Sequence, residues 1–118
     1  MKHLLLLLAL AALASCSSTG TIYHWGHYQE LLYDQYDTPG KASPEIQVTK
    51  LEEDIEVARS QNKPLPPGFF AHLGYQYLQM GRTEDAKASF EAEKRQYPES
   101  AVLMDRFTKK FQAKAKAK

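Results

Sequence analysis

The sequence predicts an all-α fold assembled from short helical hairpins. Apolar side chains recur every three or four residues in several segments, which is the spacing of one face of an α-helix. Turns rich in proline and glycine, at residues 38–40 and 62–68, separate these segments and cannot continue a helix. We therefore expect a series of helices whose core forms where their apolar faces meet.

The first 15 residues have the layout of a secretory signal. Lys2 and His3 precede an apolar run from residue 4 to residue 14, which is too short to span a bilayer. The run leads into Leu13-Ala14-Ser15-Cys16, which resembles the lipobox of bacterial lipoproteins and holds the only cysteine of the chain. The resemblance implies cleavage before Cys16 and lipidation of its sulfur and its new amino group. An ordinary signal with a cysteine nearby by chance is the alternative.

Lipid on Cys16 would anchor the protein at a membrane. Several acyl chains on one residue anchor durably, because each buried CH₂ group contributes ~0.8 kcal/mol and a single chain is marginal. By resemblance to lipoprotein sorting in Gram-negative bacteria, Ser17 after the lipidated cysteine implies the outer membrane, facing the periplasm. This covalent lipid is the one attached group that we expect, and no cofactor is implied.

Composition limits the classes of function. Removal of Lys2 with the signal leaves 14 acidic side chains balanced by as many basic ones, so charge gives no argument for binding nucleic acid. The length suits one domain with a modest core. If the sole thiol carries lipid, the chain can form no internal disulfide, and packing alone must hold the fold.

Two helices are expected in the first half, after a polar tether at residues 16–21. In the first, the apolar stripe consists of Trp25, Tyr28, Leu32 and Tyr36, widened by Leu31 and Tyr33. Gly26 indicates either a helix start or the close approach of a neighbouring backbone. In the second, Ser43 is the expected cap and the apolar seam consists of Val48, Leu51, Ile55 and Ala58. The run Glu52, Glu53, Asp54 and Glu56 is interpreted as a solvated helix face and not as a catalytic pair.

The second half carries a recognisable pattern. Phe70-x₂-Leu73-Gly74-x₂-Tyr77, Ala86-x₃-Phe90 and Pro98 match the tetratricopeptide (TPR) signature nearly in full, and residues 67–100 have the 34-residue length of that repeat. The resemblance implies that Gly74 lets the second helix of a hairpin cross close to the first. Thr83 is the expected cap of that second helix.

Such hairpins cannot bury their faces alone. We therefore expect helices at residues 23–36 and 46–61 to form a degenerate first hairpin, stacked on the good one within a domain at residues 22–112. After Pro98, a last helix capped by Ser100 resembles the terminal helix of repeat arrays. A lysine-rich tail at residues 113–118 is interpreted as a solvated helix end, with contact to anionic envelope polymer or lipid as the alternative.

Aromatic residues near the start of the domain carry a second resemblance. Tyr23, Trp25, Gly26 and Tyr28, with "LLY" at residues 31–33 and "LGY" at residues 73–75, resemble a family of small Gram-negative lipoproteins described as domain of unknown function 4810. Its members tend to be encoded beside a lipoprotein that resembles the curli export channel and beside a second small lipoprotein. The resemblance therefore implies a shared envelope assembly, and it supplies no catalytic residue.

Few residues indicate chemistry. His24 and His27 could face one metal ion, but a pair without further ligands is a weak indication, since zinc sites use three or four protein ligands. A phosphate loop, a nucleophile-elbow serine and a free thiol are missing from the sequence, so we expect no enzyme and no metal site.

The remaining indication is an excess of aromatic residues, some of which we expect at a binding surface. In stacked hairpins the first helices line a concave face, which places Ala71, His72, Tyr75 and Gln79 in a groove while Leu73, Tyr77 and Phe90 pack inward. Trp25, Tyr28 and Tyr33 are further candidates for exposed contact residues. The resulting hypothesis is an outer-membrane adaptor that binds envelope proteins. The alternative is a structural lipoprotein that bridges the outer membrane and peptidoglycan through its lysine tail.

Overall fold

The computed structural model describes residue 1 and residues 20–117, and in that part of the chain all regular structure is helical. The α-helices are α1 (Tyr28–Asp37), α2 (Pro44–Ser60), α3 (Phe69–Gln79), α4 (Thr83–Gln96) and α5 (Ala101–Lys116), with a 3₁₀ turn at Pro98–Ser100. The predicted all-α class is confirmed. The predicted signal, Cys16 and most of the tether lie outside the described residues.

The second hairpin, α3 and α4, closes by direct backbone approach. A Cβ atom built on Gly74 would lie 2.5 Å from Cε1 of Phe90 and 3.1 Å from the carbonyl oxygen of Ala86. Phe90 and Ala86 are both fully buried. Gly74 therefore has the role that the repeat pattern predicts, since any side chain there would push the helices apart.

A buried carboxylate holds the start of α3. Gly68 enters the helix at φ +89°, where its amide would otherwise have no partner. The side chain of Glu93 on α4 accepts hydrogen bonds from the backbone N–H groups of Gly68, at 2.7 Å, and Phe70, at 3.1 Å. A negative charge at this position also complements the positive end of the α3 dipole.

The first hairpin, α1 and α2, uses the same device. Gly26 precedes α1 at φ +45°, and Oδ2 of Asp54 accepts from the backbone N–H of His27 at 2.7 Å. Asp54 and Glu93 are each the eleventh residue of their helix. The interpretation of residues 52–56 as a wholly solvated face is therefore wrong for Asp54, which is 3 % exposed, although its three acidic neighbours are exposed.

The two hairpins stack on each other as predicted. The ring of Tyr28 on α1 packs against the rings of Phe69 and His72 on α3, with centroid distances of 5.5 and 6.0 Å. The hydroxyl of Tyr77 on α3 donates to Oε1 of Glu52 on α2 at 2.6 Å. Both contacts join α3 to the preceding hairpin, so one continuous core runs through the stack.

Helix α5 closes the far side. Met104 is buried, and the ring of Phe107 lies 5.9 Å from that of Phe90. The helix continues through the expected domain boundary at residue 112, so residues 113–116 are its exposed last turn. No helix within residues 20–117 combines the length and the apolarity that a bilayer crossing needs.

One of the three expected helix caps is present. The hydroxyl of Ser43 accepts from the backbone N–H of Ile46 at 3.4 Å. Thr83 and Ser100 make no such bond: Thr83 is already the first residue of α4, and the hydroxyl of Ser100 donates to the carbonyl of Tyr97. The prediction for Thr83 is wrong because Arg82 holds the N-cap position, whereas Ser100 is at the N-cap position of α5 but donates its hydroxyl proton instead of accepting.

Candidate protein-binding cleft

Polar side chains, and not apolar ones, fill part of the junction between the hairpins. Gln35 from α1, Gln47 from α2, and His72 and Gln76 from α3 meet there, and we name these four residues the glutamine seam. Gln47 and Gln76 are buried. Buried amides are tolerated only when they are hydrogen-bonded, so the bonds within the seam decide whether it is stable.

The seam is tightly connected. Nε2 of Gln76 donates to Oε1 of Gln35 at 2.6 Å, and Oε1 of Gln47 lies 2.9 Å from Nε2 of His72. Nε2 of Gln47 donates to the carbonyl of Ala42 at 3.2 Å and also points at Oε1 of Gln35, 3.4 Å away. Each of the three helices is thereby linked to the other two, and the hydrogen bonds restrict the conformations of the side chains that form the links.

Burial keeps the seam uncharged. It lowers the pKa of His72 from 6.5 to about 4, because the imidazolium would lose its hydration. His72 is therefore neutral at pH 7. Its Nε2 lies 2.9 Å from the amide oxygen of Gln47 and 3.4 Å from the amide nitrogen of Gln76, and the shorter contact favours the tautomer with its proton on that nitrogen.

The seam opens into a cleft. Its volume is about 390 Å³, and the α1–α2 loop forms one wall while α3 forms the other. The lining consists of Gln35, Pro39, Gly40, Ala42, Ser43, Pro44, Gln47, Gln76 and Gln79. Oε1 of Gln35 accepts within the seam, whereas its side-chain NH₂ group has no partner within residues 20–117. The cleft thus presents the side-chain NH₂ group of Gln35 as a hydrogen-bond donor, and the hydrogen bonds of the glutamine seam hold that side chain in place.

The cleft exists because the first hairpin does not close like the second. When Gly26 is aligned with Gly68, Leu32 stands at the position of Gly74. When Asp54 is aligned with Glu93, Gln47 stands at the position of Ala86. The smallest pair in the second hairpin is therefore replaced by two larger side chains in the first. The longer connection of the first hairpin, residues 38–43, supplies the outer wall.

The predicted groove residues are divided between the cleft and the core. Tyr75 and Gln79 are exposed beside the cleft, with Nε2 of Gln79 donating to the Tyr75 hydroxyl at 3.2 Å, and Ala71 is half-buried. The placement of His72 in an open groove needs correction, since it is 8 % exposed beneath Tyr28. Leu73, Tyr77 and Phe90 pack inward as predicted.

The aromatic candidates on α1 and in the segment before it differ in exposure. Tyr33 is exposed, and Trp25 is half-buried and stacked on Tyr28 with an interplanar angle of 12°. Tyr28 was expected at the surface but is 7 % exposed, and burial raises its pKa to about 12. Tyr36 was expected on the inner stripe but is 80 % exposed, because the polar residues Asp34 and Gln35 take the inward positions of that turn.

His24 and His27 meet Asp54. Nδ1 of His27 lies 2.9 Å from Oδ1 of Asp54, and Nε2 of His24 lies 3.7 Å from the same oxygen. Within the described part of the chain, no group of three or more His, Cys, Asp or Glu residues is arranged to hold a metal ion. The contacts instead fasten the segment before α1 to α2.

The expectations from the sequence include neither the seam nor the two buried acids. A signal was present for the acids: Asp54 lies at the same distance from the start of α2 as Glu93 does from the start of α4, and a glycine precedes the first helix of each hairpin. Gln35, Gln47 and Gln76 carry no such signal, because single glutamines on helices are usually surface residues.

Comparison with known proteins identifies a family. Residues 22–107 match the family described as Domain of unknown function (DUF4810), which confirms the resemblance of the aromatic segment. No curated protein and no solved structure matches the chain.

Proposed function

We propose that this chain, which belongs to the DUF4810 family, is an outer-membrane lipoprotein that binds a segment of a partner protein in its cleft on the periplasmic side. The cleft between the hairpins carries this proposal. It presents a side-chain donor from Gln35 and two exposed residues, Tyr75 and Gln79, at its edge. These groups suit a partner that brings peptide carbonyls and apolar side chains.

The rigidity of the cleft supports a role in binding. Hydrogen bonds fix Gln35 and Gln47 before any partner arrives, so little side-chain entropy remains to be lost on association. Pro39 and Pro44 restrict the loop that forms the opposite wall. The seam is neutral at pH 7, so recognition would depend on hydrogen bonds and shape and only weakly on salt.

The proposed lipid anchor would determine where a bound partner is held. Lipid on Cys16 would confine the protein to the membrane surface, and residues 16–21 span at most about 20 Å when extended. A partner held in the cleft would stay close to the membrane at a high effective concentration. An assembly factor of an envelope or secretion complex works in this way, and the family resemblance makes a lipoprotein similar to the curli export channel a candidate partner.

Crosslinking in intact cells followed by purification of the tagged protein tests the proposal. We expect the wild type to recover a reproducible envelope protein and Tyr75→Ala with Gln79→Ala to recover about tenfold less, which corresponds to ~1.4 kcal/mol of binding. Gln29→Ala is the matched control, because Gln29 is an exposed glutamine of α1 outside the cleft. Equal recovery by all three proteins, or no reproducible partner, would refute binding in the cleft.

The anchor needs its own test. Radiolabelled palmitate should label the wild type and not Cys16→Ala, and the labelled protein should fractionate with the outer membrane. Labelling that persists in Cys16→Ala, or wild-type protein in the inner membrane, would contradict this part of the proposal.

A second function, bridging to peptidoglycan, is favoured by the end of α5. Lys109, Lys110, Lys114 and Lys116 are exposed and form no ion pair within residues 20–117. Sedimentation with purified peptidoglycan should then depend on residues 114–118. If their deletion leaves sedimentation unchanged, the bridging function is excluded while the adaptor function is unaffected.

A further inference from the structure

We propose that copies of this protein associate end to end, with the first hairpin of one copy docking on α5 of the next. We call the exposed surface of α1 and α2 the acidic end and that of α5 the basic end. This inference goes beyond partner binding in the cleft, because it concerns the two outer faces of the stack.

The two ends carry opposite charge. Residues 28–60 contain eight acidic and three basic side chains, whereas residues 101–116 contain five basic and one acidic. On the acidic end, Glu30, Asp37, Glu45 and Glu53 are exposed and form no ion pair within residues 20–117. All five basic side chains of α5 are likewise exposed and unpaired within that range. Complementary fields of this kind steer association and select its orientation.

Both ends also expose apolar side chains. On α1, Leu32, Tyr33 and Tyr36 line a shallow surface hollow, and Tyr36 is 80 % exposed. On α5, the adjacent residues Val102 and Leu103 are 65 % and 50 % exposed. Terminal repeats of stacked arrays ordinarily carry polar outer faces that keep the array soluble. Both ends of this stack combine their charges with exposed apolar side chains, and an apolar patch rimmed by charged residues indicates an interaction surface.

A second copy fits these surfaces because the two ends carry opposite charges and both expose apolar side chains. Within one chain, the second hairpin already stacks on the first through aromatic rings and a hydrogen bond at the junction. A neighbouring copy that placed α1 and α2 against α5 would continue the stack in the same direction. Contacts between different surfaces are heterologous, so they would produce either a closed ring or an open chain of copies.

Sedimentation velocity of the purified full-length protein in detergent tests this inference. We expect association that increases with protein concentration and weakens by about tenfold between about 50 mM and about 500 mM NaCl, since exposed charges are screened. The acidic-end variant Glu30→Lys/Asp37→Lys and the basic-end variant Lys109→Glu/Lys110→Glu should each be monomeric. An equimolar mixture of the two should form heterodimers, because one intact acidic end then meets one intact basic end.

The control changes the same number of charges elsewhere. Lys87→Glu/Arg95→Glu reverses two exposed basic residues of α4, which lies between the ends, and should associate like the wild type. A wild type that is monomeric at low salt overturns the proposal, even if another protein binds to α5. Loss of association in the α4 control, or a mixture that stays monomeric while circular dichroism shows both variants folded, also overturns it.

Discussion

The two hairpins start their first helices in the same way, but their two helices pack against each other differently. In each, a glycine with positive φ precedes the first helix, and a buried acid of the second helix accepts hydrogen bonds from the backbone at that start. The second hairpin then closes through Gly74, Ala86 and Phe90. In the first, Leu32 and Gln47 occupy the positions of Gly74 and Ala86, and a polar seam takes the place of close contact.

Two features are common to both hairpins, and a third is found only in the second. The glycine and the buried acid set where the first helix begins, and they are present in both. The small residues decide how closely the helices approach, and only the second hairpin has them. The cleft follows from that substitution, because it lies where the first hairpin is held apart.

Removing the buried acids should have the largest effect on stability. Glu93→Ala leaves two backbone N–H groups without their charged acceptor, which should lower the free energy of unfolding by about 3 kcal/mol. Asp54→Ala removes one backbone bond and the contact with His27, and should cost roughly 2 kcal/mol. Urea unfolding followed by circular dichroism measures both.

The exposed neighbour Glu53 provides the control for these variants. Glu53→Ala should leave the free energy of unfolding unchanged within error, because Glu53 is exposed on α2 and its side chain forms no hydrogen bond or ion pair within residues 20–117. If Asp54→Ala lowers the free energy of unfolding no more than Glu53→Ala does, Asp54 does not stabilise the start of α1 as Glu93 stabilises the start of α3.

Acid should loosen the junction of the hairpins through His72. Its pKa is about 4 in the folded protein and 6.5 as the reference value, so the unfolded chain binds the proton more tightly. The stability that the neutral ring contributes is present above pH 6.5 and is lost as the pH falls toward 4. The slope is about 1.4 kcal/mol per pH unit, or roughly 2 kcal/mol by about pH 5.

Unfolding of His72→Gln measured over the same pH range isolates this contribution. The variant should show a smaller decrease in stability with acid than the wild type, since glutamine does not titrate. Parallel pH curves for the two proteins would show that His72 is not buried in a neutral seam.

Substitutions at Gly74 and Leu32 should distinguish the close packing of the second hairpin from the looser packing of the first. Gly74→Ala gains about 1 kcal/mol of helix propensity, but its Cβ would collide with Phe90 and crowd the Ala86 carbonyl. We expect a net loss of roughly 1–2 kcal/mol in thermal or urea unfolding. Leu32→Ala, at the corresponding place in the first hairpin, should cost less, because Leu32 is only partly buried. A stabilised Gly74→Ala protein would contradict the close approach.

The smallest effect concerns the link between the hairpins. Tyr77→Phe removes the hydrogen bond to Glu52 while keeping the ring, so we expect a loss of about 1 kcal/mol in urea unfolding. Tyr75→Phe is the control on the same helix, because Tyr75 is exposed and, within the described residues, its hydroxyl is hydrogen-bonded only to the side chain of Gln79. An equal loss in the two variants would show that the Tyr77 bond contributes nothing to stacking.

The sequence predicts the second hairpin well because its signals are local. Gly74, Ala86 and Phe90 stand at fixed spacings, and each has one physical reason for its residue type. The helix order and the stacking of the first hairpin follow from the requirement to bury apolar faces, and both are confirmed.

The inner face of α1 was predicted incorrectly because apolar periodicity assumes that buried positions are apolar. Asp34 and Gln35 turn inward, where Lys41 and the seam satisfy them, and Tyr36 is left outside. Pairing between polar residues that are distant in sequence leaves no periodic pattern, so the seam and the cleft emerge only from the three-dimensional arrangement.

Site-specific photo-crosslinking from the cleft shows whether the junction of the hairpins binds a partner protein. A photoreactive phenylalanine analogue in place of Gln79 should produce, in intact cells, a discrete adduct with one envelope protein. The same analogue in place of Gln29, exposed on α1 outside the cleft, should not produce that adduct. Identical adducts from both positions, or none from Gln79, would contradict the account.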